Sequence, residues 1–218
     1  KTSIITYSLN KDLAVEANRI AKDSIKVFSG LFTEYPYDTY SVVASDFFIG
    51  GMEYPTLVMI DQTLYDKDTK FLLEYVIAHE TAHQWWYSVV GNDEISEPWL
   101  DEALTEYSTI LYFEEKYGKE TGDKLLKTME VQSENYRGAD MFKASTEFDN
   151  SSEYSLNVYT KGAVVFNEIR KEVGDKIFFE TLQEYCQSYM FQNVNGEQFM
   201  KMWKDKGVDI NKIVDKCN

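Results

Sequence analysis

The sequence predicts an α+β fold in which a small β-sheet lobe is followed by a helical lobe. Segments rich in β-branched and aromatic residues lie within residues 1–61, whereas apolar residues recur at helical spacing from residue 69 almost to the end. With 218 residues, 44% of them hydrophobic, the chain can bury one substantial core. We therefore expect one domain over residues 1–218, with a sheet-bearing lobe at 1–68 and a helical lobe at 69–218.

The first two elements are a strand and a helix. Residues 1–8 have the composition of a strand. Asn10 or Asp12 can cap a helix that runs to about Ser29, and Gly30 is expected to end it. The apolar residues at helical spacing in this segment are Leu13, Ala17, Ile20, Ala21, Ile25 and Phe28.

Two more strands follow, at residues 40–48 and 56–61. The strand pattern is broken between them by Gly50, Gly51 and Pro55. The remaining elements are helical, with one polar segment, residues 138–157, that is expected to be a functional or partly ordered loop. The expected helices span residues 70–89, 98–118, 121–136, 158–173, 176–189, 196–206 and 210–216.

The composition bears on partners and compartments. A count of 37 acidic against 22 basic residues gives a formal charge of −15, which argues against nucleic acid as a partner because phosphate binding needs a basic face. No stretch approaches the roughly 20 apolar residues of a membrane span. The chain begins with KTSIITYSLN, without a methionine, and we expect it to be a domain excised from a longer polypeptide.

Both histidines of the chain lie in one short stretch, VIAHETAHQWW, as His79 and His83 with Glu80 beside the first. Positions i and i+4 share one face of a helix, so both imidazoles can reach one ion. The pattern HExxH is typical of zinc peptidases, in which the glutamate is the general base. Alone it is a weak signal, because two histidines on an apolar helix can also be ordinary core residues.

A catalytic zinc needs a third protein ligand, and the stretch EPWLDEALTEY supplies a candidate. Glu102 lies on the next predicted helix, 19 positions after His83. Glu106, one turn beyond Glu102, points the same way and can hydrogen-bond the second ring nitrogen of a ligand histidine. The alternative for Glu106 is a solvated helix face.

At this spacing HETAHQWW followed by WLDEALTEY resembles the aminopeptidase N (alanyl aminopeptidase) family of gluzincin zinc metallopeptidases. Members carry a Gly-x-Met-Glu-Asn stretch upstream of the histidines and a catalytic tyrosine in a Tyr-x-Lys-Gly-Ala context downstream. Both are present here, as IGGMEYP and NVYTKGAVVF. The matching positions are Gly50, Gly51, Met52 and Glu53 upstream, and Tyr159, Lys161, Gly162 and Ala163 downstream.

The resemblance implies a thermolysin-like metallopeptidase catalytic domain, with a small, twisted, mixed β-sheet lobe, the zinc helix and then a helical lobe. It implies one catalytic Zn2+ ion held by His79, His83 and Glu102. Family members also have a β-rich domain before this one and further domains after it, so the missing partners of this chain are expected to be flanking domains of the same polypeptide.

The resemblance also implies roles for individual residues. Glu80 takes a proton from the attacking water and returns it to the leaving amine. Tyr159 stabilises the tetrahedral oxyanion as a phenol donor. Glu53 pairs with the free α-ammonium of the substrate, and the strand that contains Gly50, Gly51 and Met52 takes the peptide backbone as an added strand. Tyr54 departs from the family's asparagine, which affects the geometry of the N-terminal pocket.

The function that best fits is a zinc-dependent aminopeptidase acting on peptides with a free N-terminus. Two alternatives stay open. One is an endopeptidase or another hydrolase on the same scaffold, for example one acting on an epoxide. The other is a non-catalytic relative that serves as a scaffold or binding module. Such relatives usually lose the zinc ligands or the general base, whereas the predicted ligands and the predicted base are all present in this sequence.

Overall fold

In the computed structural model, which describes residues 1–47, 49–134 and 140–218, the chain divides into two units, Lys1–Ser88 and Val89–Asn218. The helix that carries His79, and His83 directly after it, belong to the first unit. Among the described residues, no helix combines the length and the apolar character needed to cross a membrane.

A four-stranded mixed sheet forms the first unit's framework. Its strands are β1 (Ser3–Tyr7), β2 (Thr39–Ser45), β3 (Gly51–Met52) and β4 (Leu57–Asp61), in the spatial order β1-β2-β4-β3. β1, β2 and β4 are parallel, whereas β3 pairs antiparallel with β4. The mixed sheet is as predicted. The predicted strand over 40–48 ends at Ser45, with Phe48 outside the described residues, and β3 was not predicted because two residues carry no periodicity.

Helix α1 spans Lys11–Leu31, and its cap is Asn10, whose Oδ1 accepts a hydrogen bond from the Leu13 N–H at 3.3 Å. The prediction that Gly30 ends this helix is wrong. The Phe32 N–H still bonds the Phe28 carbonyl at 2.9 Å, and the two rings stack at 5.9 Å. The buried aromatic face continues past the glycine, and this packing outweighs the weak helix propensity of one residue.

Helix α2 spans Lys70–Ala82 and is seven residues shorter than the predicted 70–89. His83 is its cap, in a helical conformation, and the chain then turns, with Tyr87 at φ 140°. The apolar residues after His83 lie in a turn, and their side chains face the core. Their spacing in the sequence resembles that of a helix, so the predicted helix was too long.

In the described part of the second unit, the regular elements are helices apart from a two-stranded parallel sheet, β5 (Val90–Gly91) with β6 (Gln192–Asn193). Its helices are α3 (Glu102–Tyr117), α4 (Lys119–Ser133), α5 (Ser151–Tyr154), a π-helix (Ser155–Lys161), α6 (Gly162–Tyr189), α7 (Gly196–Asp205) and α8 (Ile210–Cys217). Gly174, at φ 79°, breaks the regular path of α6 where two separate helices were predicted.

The start of one predicted helix and the predicted character of one loop in this unit are wrong. Helix α3 begins at Glu102 and not near Pro98, because residues 98–101 form turns. The described part of the polar segment, residues 140–157, is partly helical: it contains a 3-10 turn, α5 and the start of the π-helix. Its polar residues serve as caps, as where Asn150 Oδ1 accepts from the Glu153 N–H at 2.9 Å. Residues 135–139, which include the end of the predicted helix 121–136 and the start of this segment, lie outside the described part.

The aromatic side chains near the histidine and Glu102 segments are core residues. Trp85, Trp86, Trp99 and Tyr107 are all buried, as expected for large aromatic side chains that pack in a core.

Candidate active site

The two histidines lie side by side at the end of α2. Their ring centroids are 5.1 Å apart, and one ring nitrogen of His79 lies within 4.8 Å of one of His83. Although α2 ends at Ala82, the His83 N–H still bonds the His79 carbonyl at 3.3 Å. The predicted i, i+4 arrangement is therefore preserved in the first unit.

A backbone carbonyl orients His83. Its Nδ1 lies 3.0 Å from the carbonyl oxygen of Trp86. A carbonyl only accepts, so Nδ1 carries the hydrogen, and in the neutral ring the lone pair is then on Nε2. This is the arrangement that orients ligand histidines in metal sites. The sequence did not indicate this carbonyl, because it becomes available only when the helix stops after His83.

The turn after α2 is fixed by two buried side chains. Trp85 Nε1 donates to the Thr33 carbonyl at 2.8 Å. Gln84, fully buried, bonds the chain at residues 53–56. These long-range contacts are the physical reason for the early end of α2, since both side chains would point elsewhere on a continued helix.

Glu80 faces strand β3. An ideal Cβ placed on Gly51 would lie 2.3 Å from Oε1 of Glu80 and 2.6 Å from its Cδ. The backbone of β3 therefore passes directly beside the carboxylate, at a distance that only a glycine leaves open. The structure thus brings together two residues that the sequence placed at the catalytic step and at the substrate strand.

Strand β3 is the outermost strand of the sheet, so one of its edges has no strand neighbour in the described part of the chain. Gly50 precedes it at φ 85°, and the Gly50 carbonyl accepts from the Asp61 N–H at 2.8 Å. Glu53 follows it and is 8% exposed. Within the described residues, the Glu53 carboxylate makes no hydrogen bond or ion pair, which is costly for a buried charge.

In the second unit, a hydrogen-bonded loop leads to Glu102, the first residue of α3. Asn92 Nδ2 donates to the Asp101 carboxylate at 3.1 Å. Asp93 Oδ1 accepts from the Ile95 and Ser96 N–H groups at 3.0 and 3.1 Å. The hydrogen bonds from Ser96 lower the pKa of Asp93 below its ordinary value. These contacts fix the backbone that leads into Glu102.

Tyr159 lies in the π-helix, close to Glu102 of the same unit. Burial first, and then the negative charge of Glu102, raise the pKa of Tyr159 well above its ordinary value. The phenol therefore keeps its proton and can act as a hydrogen-bond donor. A π-helical turn is rare and often marks a functional site. Sequence patterns do not distinguish such a turn from an α-helix.

The glycine that follows Lys161 allows α6 to approach α3 closely. An ideal Cβ on Gly162 would lie 2.3 Å from the Cβ and 3.1 Å from the Cα of Ala103. Ala103 is the neighbour of Glu102, so this contact is adjacent to the predicted ligand. The Lys-Gly-Ala context of Tyr159 thus has a packing reason that the sequence alone did not reveal.

Glu106 lies one turn after Glu102 on α3 and is 8% exposed. The alternative that Glu106 belongs to a solvated helix face is wrong, because the side chain is buried. Its predicted hydrogen bond to a ligand histidine stays a prediction.

Comparison with known proteins identifies the family. The model for the peptidase family M1 domain matches residues 16–217. The chain belongs to peptidase family M1. This confirms the resemblance to the aminopeptidase N family of gluzincin zinc metallopeptidases.

Curated M1 relatives include aminopeptidase B from Rattus norvegicus, 30% identical over 89% of this chain and 32% of that protein. Leukotriene A-4 hydrolase from Xenopus laevis is 29% identical over 88% of this chain and 33% of that protein. The chain thus spans about a third of the length of these relatives. Among solved structures, yeast LTA4 hydrolase in complex with Bestatin has a TM-score of 0.80 at 21% identity, over 97% of this chain and 36% of that one, which confirms the fold.

Proposed function

We propose that this chain is the catalytic domain of a zinc-dependent aminopeptidase that removes N-terminal residues from peptides. The observation that carries the proposal is the buried Glu53 carboxylate, which has no partner among the described residues and follows an edge strand that passes beside Glu80. A free α-ammonium group would supply the missing positive charge.

The proposed metal ligands are His79, His83 and Glu102, and the metal is one zinc ion. The neighbouring ring nitrogens and the Nδ1 contact of His83 support the histidine part of this set. The spacing of Glu102 in the M1 pattern supports the third ligand. When bound, zinc supplies Lewis-acid chemistry, polarising a carbonyl group and lowering the pKa of water.

The remaining steps belong to the chain's own residues. Glu80 accepts a proton from the attacking water and returns it to the leaving amine. Tyr159, protonated at neutral pH, donates a hydrogen bond to the oxyanion that forms on the attacked carbonyl. The free edge of β3 takes the peptide as an added strand, and Glu53 fixes its N-terminus.

Flanking domains of the same polypeptide are the proposed partners of this chain, since it spans about a third of its relatives. The test therefore uses the full-length protein. Hydrolysis of an aminoacyl-anilide with a free α-amine is compared with that of its N-acetylated form, in the parent protein and in Glu53→Ala. The matched control is Glu34→Ala, which removes an exposed acid from the same unit.

The proposal expects hydrolysis of the free-amine substrate only. Glu53→Ala should raise its KM at least about tenfold, because a buried charge pair is lost, whereas Glu34→Ala should behave as the parent. Equal cleavage of the N-acetylated substrate, or an unchanged KM in Glu53→Ala, would overturn the exopeptidase assignment.

A second candidate is another hydrolase on the same scaffold, with a non-peptide substrate such as an epoxide. The relative named leukotriene A-4 hydrolase favours it. Turnover of an epoxide by a protein that leaves both anilides intact would select this candidate.

A further inference from the structure

Gln84, directly after the second histidine, is a buried polar residue with no role in the chemistry above. It is 0% exposed. Its Oε1 accepts from the Thr56 N–H at 2.8 Å and lies 3.4 Å from the Tyr35 hydroxyl, whose closer acceptor is the Thr39 carbonyl at 3.1 Å. Its Nε2 lies 3.2 Å from the Tyr54 carbonyl oxygen and 3.5 Å from that of Glu53.

These partners fix the orientation of the amide. The Thr56 N–H can only donate and the two carbonyls can only accept, so the oxygen must face Thr56 and the nitrogen must face residues 53 and 54. Both ends of the amide are used. A side chain that only filled space in the core would not need this set of partners.

The segment that Gln84 contacts is strained. Thr56 has φ 65°, which is unfavourable for a β-branched residue. Such a conformation persists only where its surroundings enforce it, and it is common at functional sites. Two backbone hydrogen bonds hold the rest of the turn. The Ser41 N–H donates to the Thr56 carbonyl at 2.8 Å, and the Leu57 N–H donates to the Tyr54 carbonyl at 3.0 Å.

Gln84 itself sits on a fixed backbone. The next residue, Trp85, donates a hydrogen bond to the Thr33 carbonyl. The preceding residue, His83, is hydrogen-bonded to the Trp86 carbonyl. The backbone of Glu53 is therefore tied to that of His83 through one side chain and one peptide bond.

We propose that Gln84 is a positioning residue that sets the distance between the Glu53 carboxylate and the histidine pair, and so determines where a substrate α-ammonium is held. This rests on the proposed function. An aminopeptidase must measure the distance from the substrate's N-terminus to the bond it cuts, and the Gln84 contacts connect the two ends of that distance.

The test uses the full-length protein and the variant Gln84→Met, which keeps the length of the side chain and removes both hydrogen-bonding groups. Two ligands serve as probes in calorimetry, leucinamide and N-acetyl-leucinamide. Zinc content and anilide kinetics are measured on the same samples.

The matched control is Tyr40→Phe. Thr81 Oγ1 donates to the Ile77 carbonyl at 2.6 Å, so the Tyr40 hydroxyl, 2.7 Å away, must be the donor to Thr81. Tyr40→Phe therefore removes a buried hydrogen bond between α2 and the sheet without touching residues 53–56. It reports the effect of general destabilisation.

Gln84→Met should keep the zinc content of the parent, weaken leucinamide binding about 10- to 100-fold and raise KM more than it lowers kcat, since misplacement by about 1 Å has effects of this size. Tyr40→Phe should bind leucinamide as the parent does. Unchanged leucinamide binding in Gln84→Met, equal weakening in both variants, or loss of zinc in Gln84→Met alone would overturn the positioning role.

The proposed function fails separately, in the parent protein. If the parent protein bound no zinc, or bound leucinamide no better than the acetylated form, the aminopeptidase assignment would be wrong whatever the variants do. If the parent prefers leucinamide and Gln84→Met does so equally, only the inference about Gln84 fails.

Discussion

The two units hold their predicted site residues in different ways. In Lys1–Ser88, side chains reach across the sequence to backbone groups: Gln84 to Thr56 and Trp85 to Thr33. In Val89–Asn218, the contacts beside Glu102 are local hydrogen bonds made by Asn92 and Asp93 and the close backbone packing of Gly162 against Ala103. Positions held by hydrogen bonds are lost when polar atoms are removed, whereas positions held by packing are lost when atoms are added.

The largest effect is expected in the first unit, from Glu80→Gln. The amide cannot accept a proton, so turnover should fall by about 10²- to 10⁴-fold. Zinc content and leucinamide affinity should stay as in the parent. The matched control is Glu74→Gln, another buried acid on α2, which should leave kcat nearly unchanged. Equal losses in both variants would show that burial, and not proton transfer, is what Glu80 contributes.

In the second unit, Tyr159→Phe removes one hydrogen-bond donor without changing the packing of the ring. We expect kcat to fall by about 10²- to 10³-fold with little change in KM, because the donor acts on the oxyanion. Steady-state anilide kinetics measure this. Tyr154→Phe is the control, since the ring centroids of Tyr154 and Tyr159 are 5.8 Å apart. A Tyr159→Phe protein with parental kcat would remove Tyr159 from the proposed chemistry.

Gly162→Ala tests positioning by packing. The added methyl group would overlap Ala103, so the free energy of unfolding should fall by about 1–3 kcal/mol, with a loss of turnover. Gly30→Ala is the contrasting control, since a Cβ there has open space inside α1, and it should stabilise by up to about 1 kcal/mol. Urea titration of both variants measures these changes. Two variants of equal stability would mean that α3 and α6 can separate without cost.

The smallest effect concerns an ion pair at the bend of α6. Arg170 Nε donates to Asp175 at 2.8 Å, and this contact lowers the pKa of Asp175 below its ordinary value of 3.8. A lowered pKa stabilises the folded state above the ordinary value, and that contribution disappears as pH falls through the folded-state pKa. Because Asp175 is 71% exposed, Asp175→Asn should cost at most about 1 kcal/mol.

The difference in free energy of unfolding between the parent and Asp175→Asn should be present at pH 7 and shrink below about pH 4. Urea titrations of both proteins at pH 7 and below about pH 4 measure it. Asp205→Asn, which breaks an exposed pair with Lys201, is the control for removing a surface charge. A difference that grows as the pH falls would contradict the sign of the pKa shift.

Features of the fold that depend on local spacing could be predicted from the sequence, whereas features that depend on contacts between distant residues could not. The histidine pair, the α+β order and the break at Gly174 depend on local spacing, which is visible in the sequence. The early end of α2 could not be predicted, because it depends on contacts of Gln84 and Trp85 with residues far away in the chain. The helix that continues past Gly30 is a similar case, where aromatic packing overrides local propensity.

The π-helix shows a second limit. Its residues, Ser155–Lys161, have an ordinary helical composition, and the prediction began a helix near Val158. A wider helical turn is decided by tertiary packing, here beside Gly162. The motif predicts a role for Tyr159, whereas its local conformation could not be predicted from the sequence.

The most direct test of the central claim is the zinc content of the purified full-length protein and of Glu102→Ala, measured by elemental analysis. Glu102 is the proposed ligand that depends most on the spacing of the M1 pattern. The parent should hold one zinc ion per chain and Glu102→Ala should lose it, while Glu97→Ala, an acid five residues earlier, should keep it. A parent without zinc, or a Glu102→Ala protein that retains one ion per chain, would contradict the account.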